Sequence, residues 1–138
     1  MTTVLFACVH NAGRSQMAAA LFNALADPAR ARAVSAGTQP GDHVHPIVAT
    51  AMQELGIDLS QVRPRLLTPD LAKEAGLLIT MGCGEACPSV PGLQREDWPL
   101  DDPKGKPIER VREIREDIRG RIETLLRTHQ WGPLPGAV

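Results

Sequence analysis

The stretch "CVHNAGRS", residues 8–15, decides how the beginning of this chain folds. It follows the apolar run "TVLFA", and a continuous apolar run is typical of a parallel strand covered on both faces. From Arg14 the pattern becomes helical and continues to about Leu25. We therefore expect residues 9–13 to form a loop that leaves a buried strand and enters the N-terminus of a helix.

Strand and helix patterns alternate along the rest of the chain. Alternation of this kind predicts an α/β fold with a parallel sheet and helices on both faces. We expect one domain over residues 1–138, with residues 131–138, which contain several Gly and Pro, as a frayed tail. Further strands are predicted over 31–37 and 77–81, and further helices over 46–56, 68–76 and 107–128.

Composition excludes several classes of protein. The chain has 138 residues, with fifteen basic and sixteen acidic side chains and no long run of either sign, so an extended nucleic-acid interface is not expected. No signal-peptide pattern and no run of about eighteen apolar residues occurs, so we expect a soluble cytoplasmic monomer that binds no membrane. In that compartment the three cysteines favour catalysis, redox chemistry or metal binding over structural disulfides.

Cys8 stands where parallel sheets bind ligands, at the carboxyl end of the first strand. The N–H groups of a loop entering a helix can hold an anion, and together with Arg14 they stabilise a negative sulfur. A guanidinium also matches two oxygens of a tetrahedral oxyanion, and the hydroxyl of Ser15 could donate to the sulfur. Taken singly, Cys8 would be interpreted as an inert core cysteine and Arg14 as a surface residue. The spacing of the two residues together favours a nucleophile in an anion loop, which is made of Val9, His10, Asn11, Ala12, Gly13, Arg14 and Ser15.

Two more cysteines follow the third predicted strand. Cys83 and Cys87 therefore belong to the same edge of the sheet as Cys8, and their thiols could supply two electrons. Since no dinucleotide motif is present, we expect no cofactor. The alternative is half of a zinc site completed by Cys8 or His10, but no second close pair of ligands accompanies the cysteines, so we expect no metal. The remaining histidines are expected at the surface: His43, His45 and His129.

An aspartate before proline is the candidate general acid. Asp102 precedes Pro103 in "WPLDDP", and a carboxyl on a mobile loop can protonate a departing oxygen. Asp101 is the competing candidate, and an ordinary turn is the simpler interpretation when the cysteine loop is disregarded.

These motifs resemble the low-molecular-weight protein tyrosine phosphatase superfamily over residues 3–126. The loop resembles its phosphate-binding loop, and "NAGRSQMA", "VSAGT", "LLITMGCG" and "WPLDDP" resemble its three-cysteine, thioredoxin-coupled arsenate reductases. The resemblance implies a four-stranded parallel sheet, with Cys8 as first nucleophile and Arg14 as oxyanion clamp. It also implies Asn11 and Ser15 as loop-ordering and sulfur-stabilising residues, and Asp102 as general acid.

The resemblance further implies a disulfide relay with arsenate as substrate, phosphate or sulfate as competing oxyanions, and thioredoxin as electron donor. Only three residues separate Cys83 from Cys87, fewer than in many relatives, so their order in the relay stays open. Ala19 replaces an acidic residue associated with potassium in some members, so no tight potassium site is expected. Two alternatives remain: a tyrosine phosphatase, disfavoured because the chain has few aromatic residues and Lys104 follows the Asp-Pro pair, and a non-catalytic protein that binds arsenite or zinc through its thiols.

Overall fold

The computed structural model describes residues 1–82 and 92–132. Their strands and helices alternate as expected from the hydrophobic patterns. The strands are β1 (Thr2–Cys8), β2 (Ala31–Gly37), β3 (Leu77–Thr80) and β4 (Gln94–Asp97), and the helices are α1 (Arg14–Leu25), α2 (Pro46–Gln53), α3 (Pro69–Glu74) and α4 (Ile108–His129).

The four strands form one sheet in the order β2-β1-β3-β4, and every neighbouring pair is parallel. Cys8 is paired with Gly37 on one side, and Ala7 with Thr80 on the other. The carboxyl ends of the central strands therefore lie together at one edge, where β1 delivers Cys8. The expected α/β fold with a four-stranded parallel sheet is confirmed.

Alternate side chains of β1 enter two separate cores. Val4 and Phe6 pack with α1, α2 and α4 on one face, whereas Leu5 and Ala7 pack with Ala72 of α3 on the other. All four side chains are fully buried. The continuous apolar run of β1 thus reflects burial on both faces, as in other parallel sheets.

The hydrophobic pattern did not reveal β4. Its four residues read "QRED", and they are polar and mostly exposed because β4 is an edge strand. An edge strand can pair through its backbone on one side alone and needs no apolar face to do so. Pairing with β3 is nevertheless regular over all four residues, from Leu77 opposite Gln94 to Thr80 opposite Asp97.

Residue 131 was predicted to be the first residue of a frayed tail, and for this residue the prediction was wrong. Trp131 stacks on the His129 ring with centroids 4.2 Å apart and meets Phe22 of α1 edge-on. Its backbone also accepts a hydrogen bond from Asp27 N–H. An indole can bury a large apolar area, and this burial holds the end of α4 against α1. Residues 133–138 lie outside the described part of the chain.

None of the helices formed by residues 1–82 and 92–132 combines the length and the apolar character that crossing a membrane requires.

Candidate active site

The loop after β1 is fastened to the segment that follows β2. Backbone hydrogen bonds run from Thr38 N to Cys8 O at 3.1 Å and from Gln39 N to Val9 O at 2.8 Å. Gly37 allows this close approach, since a Cβ there would lie 2.5 Å from Val9 O. Backbone contacts thus fix the position of the loop relative to β2.

Asn11 organises the inside of the loop. It is fully buried and adopts the left-handed conformation, with φ of 52°, which asparagine tolerates better than most residues. Its Oδ1 accepts the backbone N–H of Arg65 at 3.0 Å and Nε2 of Gln16 at 3.1 Å. Because a backbone N–H can only donate, this contact fixes which end of the Asn11 amide is oxygen. Nδ2 must then donate to Ser15 Oγ, 2.8 Å away.

The sulfur of Cys8 receives two hydrogen bonds from this arrangement. Ser15 Oγ lies 2.7 Å from Sγ, and Asn11 N–H donates to Sγ at 3.2 Å. Since Ser15 accepts from Asn11, its own hydrogen is available to point at the sulfur. Two hydrogen-bond donors are thus directed at one buried sulfur.

Arg14, the first residue of α1, precedes Ser15 in the sequence, and its side chain contacts the segment after β4. Its Nη1 donates to the carbonyl of Leu100 at 2.9 Å, and Nη2 lies 3.9 Å from Oδ2 of Asp102. The guanidinium is largely buried, with 12% of the side chain exposed, whereas Asp102 is half exposed. The segment after β4 therefore reaches the cysteine loop through Arg14.

The two adjacent aspartates have different partners. Asp101 bonds to Arg110 of α4, and this hydrogen bond lowers the pKa of Asp101. Asp102 instead accepts the backbone N–H of Lys104 at 3.0 Å and faces Arg14. Asp101 is thus held ionised in a surface ion pair, while Asp102 is directed toward the loop.

Pro103 anchors this segment on the cysteine loop. It is buried, and a Cβ placed on Gly13 would lie 2.8 Å from Pro103 Cγ and 3.5 Å from His45 Cδ2. Burial lowers the pKa of His45, and the carboxylate of Asp102 opposes that shift. His45 was expected simply at the surface. That expectation was wrong, because His45 is half-buried. Its backbone N–H donates to Ala12 O, and this hydrogen bond ties the start of α2 to the loop.

The structure therefore brings together the local motif and one distant residue: Cys8, Asn11, Arg14, Ser15 and Asp102. Cys83 and Cys87 lie outside the described residues. Within the described ranges no group of three or more His, Cys, Asp or Glu side chains could hold a metal ion. Sequence reasoning gave no role to Gln16, although it directly follows Ser15 in the quoted motif, nor to Leu100, which acts through its backbone.

A further groove among the described residues lies away from Cys8. It has a volume of about 520 Å³ and runs between β4 and α4, with Trp98 and Arg121 in its lining. Arg121 lies over the Trp98 ring at 5.9 Å and bonds to Asp117, so its charge is already engaged. None of the described residues that line this groove is a cysteine, so Cys8, the candidate nucleophile, lies outside it.

Comparison with known proteins matches this geometry to one family. The model of the low molecular weight phosphotyrosine protein phosphatases matches residues 3–131. The chain belongs to this family. As a low molecular weight phosphatase family member, it has Cys8 at the end of β1 and Arg14 at the start of α1, at the sheet edge where open parallel sheets bind ligands.

Several relatives of this phosphatase family member are named arsenate reductases. A Halobacterium salinarum protein, named provisionally as an arsenate reductase, is 41% identical over 128 residues and 87% of each chain is covered. An arsenate reductase of Staphylococcus aureus is 36% identical over 126 residues, which cover 88% of this chain and 93% of the relative. A solved thioredoxin-dependent arsenate reductase from Corynebacterium glutamicum has a TM-score of 0.82 and 41% identity over 94% of this chain. The present chain spans 62% of that solved protein.

Proposed function

We propose that this protein reduces arsenate to arsenite, with Cys8 as first nucleophile and an internal disulfide relay as the source of electrons. The observation that carries the proposal is the pair of donors on the Cys8 sulfur, Asn11 N–H at 3.2 Å and Ser15 Oγ at 2.7 Å, in the loop that also contains Arg14. The names of the relatives support arsenate as the oxyanion.

The first step is attack of the Cys8 thiolate on arsenic. A bond forms between Sγ and arsenic, and one arsenate oxygen departs as water after it has received a proton. Arg14 and the loop N–H groups bind the remaining oxygens, since they present charge and donors where negative charge is held. The loop residues 9–15 form this binding site, and phosphate or sulfate compete for it because they share the tetrahedral shape.

Asp102 is the proposed donor of that proton. Its Oδ2 lies 3.9 Å from Arg14, the group that binds the oxyanion, while Asp101 is held in its ion pair with Arg110. Proton delivery to a leaving oxygen requires a carboxyl group near the bound oxyanion, and of the two aspartates Asp102 has this position.

The electrons come from two thiols. The Cys83 thiolate attacks Sγ of Cys8, the electron pair of the sulfur–arsenic bond stays on arsenic, and arsenite leaves as a Cys8–Cys83 disulfide forms. Cys87 then attacks Cys83 and releases the Cys8 thiolate. Thioredoxin, a dithiol, reduces the resulting Cys83–Cys87 disulfide, so each arsenate consumes two electrons and one thioredoxin. The reverse order of Cys83 and Cys87 is the alternative that the experiment below distinguishes.

The positions of the aromatic residues disfavour a tyrosine phosphatase. The chain has two Phe, two Trp and no Tyr. Phe6, Phe22 and Trp98 are buried in the core, and Trp131 packs against Phe22. None of these four side chains is therefore available to hold the ring of a phosphotyrosine at the mouth of the loop.

Arsenite release in the presence of thioredoxin and its reductase tests the proposal. The unmodified protein is expected to turn over many times, and Cys8→Ser to be inactive in both arsenate reduction and aryl phosphate hydrolysis, because both begin at the same sulfur. Arsenite production by Cys8→Ser above the uncatalysed rate would refute the assignment of the nucleophile.

Two further variants separate reduction from hydrolysis. Cys83→Ser is expected to lose arsenite release and keep aryl phosphate hydrolysis, while Cys87→Ser is expected to release about one equivalent of arsenite and stop as a Cys8–Cys83 disulfide. Mass spectrometry of unreduced peptides identifies the bond. A Cys8–Cys87 disulfide would reverse the order, and many turnovers by Cys87→Ser with thioredoxin would refute the relay.

A further inference from the structure

Gly82 is the last described residue after β3, and it lies directly against the guanidinium of Arg14. A Cβ placed on Gly82 would be 2.5 Å from Arg14 Nη1, 3.1 Å from Cζ and 3.3 Å from Nη2. All three distances fall below ordinary van der Waals contact, and all involve the end of one side chain. Only a residue without a side chain allows the backbone to pass so close to the guanidinium.

Arg14 is therefore positioned by two segments of the chain. The carbonyl of Leu100, after β4, accepts from Nη1 at 2.9 Å, and the backbone of Gly82, after β3, lies directly against the same guanidinium. A guanidinium has five N–H donors in a fixed plane, and one bond to Leu100 sets the orientation of the whole fork. Displacement of Nη1 would consequently turn the donors that face an oxyanion.

Gly82 also has a left-handed backbone, with φ of +95°. Any L-residue at this position would be strained, so a substitution has two separate effects, strain and collision. Gly92 separates them: its φ is +81°, and no atom of residues 1–82 or 92–132 is recorded within 4 Å of a Cβ placed on it. Alanine at Gly92 thus introduces the same kind of strain without touching Arg14.

We propose that Gly82 is a positioning residue for the oxyanion clamp: its missing side chain is the space that Arg14 needs in order to bind the substrate oxyanion. The inference rests on the proposed function in that it takes Arg14 to be the clamp. Because the atoms that a Cβ would meet belong to a flexible side chain, Arg14 gives way before the backbone does. The consequence of a side chain at residue 82 is therefore expected in oxyanion binding more than in folding.

Direct binding of inorganic phosphate, measured by titration calorimetry on the reduced protein, tests this inference without any turnover. Gly82→Ala is expected to weaken phosphate binding at least tenfold, while Gly92→Ala binds within about twofold of the unmodified protein. Urea unfolding is expected to show similar losses of stability for the two variants, since both place alanine in a left-handed backbone. Equal phosphate affinities for the two variants, or phosphate binding by the unmodified protein too weak to detect, would overturn the inference.

A double-substitution cycle tests whether the effect passes through Arg14. In an Arg14→Ala background the guanidinium is absent, so Gly82→Ala is expected to cause no further loss of phosphate affinity. A further tenfold loss in that background would show that Gly82 acts on the loop by another route. Phosphate affinity is measured independently of arsenate reduction. If the unmodified protein bound phosphate normally but released no arsenite, the proposed reaction would be refuted and the role of Gly82 would stand.

Discussion

Replacement of Asn11 by alanine removes three hydrogen bonds at once. The side chain donates to Ser15 Oγ at 2.8 Å and accepts from Gln16 Nε2 at 3.1 Å and from Arg65 N–H at 3.0 Å. At about 1 to 1.5 kcal/mol for each buried hydrogen bond, their loss costs about 3 to 4 kcal/mol. Alanine in the left-handed region costs about 1 kcal/mol more. Asn11→Ala is therefore expected to lower the free energy of unfolding by about 4 to 5 kcal/mol.

Two other substitutions at the same position separate the contributions. Asn11→Gly loses the same hydrogen bonds without the strain, but glycine costs about 0.5 to 1 kcal/mol in backbone entropy, so it should be at most about 1 kcal/mol more stable than Asn11→Ala. Asn11→Asp keeps both acceptor contacts. Its carboxylate cannot donate to Ser15, so the Ser15 hydroxyl is expected to turn toward Asp at residue 11 and away from the Cys8 sulfur.

Urea unfolding and the rate of Cys8 alkylation by iodoacetamide measure these effects. Both are recorded in a background with Cys83→Ser and Cys87→Ser, so that Cys8 is the only thiol. Asn11→Asp is expected to lose less stability than Asn11→Ala yet to alkylate Cys8 at least tenfold more slowly than the parent protein at pH 7. Alkylation of the Asp variant at the parental rate would refute the conclusion that Asn11 directs the Ser15 hydrogen to the sulfur.

Two further predictions follow from other contacts. Gly13→Ala places a Cβ 2.8 Å from Pro103 and is expected to displace the Asp-Pro turn and to lower kcat at least tenfold. Gly41→Ala is the control, because a Cβ there meets only ordinary contacts at 3.9 Å, and its kcat should be normal. Equal kcat values for the two variants would contradict this prediction. Hydrogen bonds from Arg112 lower the pKa of Glu54 from 4.5 to about 2, so this group adds stability above pH 4.5 that is lost as the pH falls toward 2. The stability difference between the parent protein and Glu54→Gln, followed by urea unfolding, should shrink over that range, and a constant difference would exclude the ion pair as its source.

Most of the fold could be predicted because its strongest signals are local. The apolar run of β1, the cap of α3 and the spacing in α4 each occur within one stretch of sequence, and the observed helix α1 has the predicted bounds, Arg14–Leu25. Thr68 caps α3 by accepting the N–H of Leu71, a contact between residues three positions apart. β4 escaped prediction because its position depends on pairing with β3, which leaves no trace in four polar residues.

The candidate site likewise has a part that could be predicted from the sequence and a part that could not. Cys8, Asn11 and Ser15 belong to one loop, so their proximity follows from the turn between a strand and a helix. Arg14 meets the carbonyl of Leu100 across 86 positions in sequence, and that contact uses a backbone atom which every residue possesses. No residue type marks such a partner, so only the folded structure could identify it.

Arg14 is the side chain on which the two later segments converge. Leu100 and Asp102, after β4, and Gly82, after β3, all lie close to its guanidinium. A substitution of Arg14 is therefore expected to alter oxyanion binding, the position of Asp102, the proposed general acid, and the contact with Gly82 at the same time. Loss of activity in Arg14 variants consequently cannot be assigned to oxyanion binding alone. Gly82→Ala and Gly13→Ala each disturb one of these segments while the guanidinium remains, and they are the substitutions that can apportion its contributions.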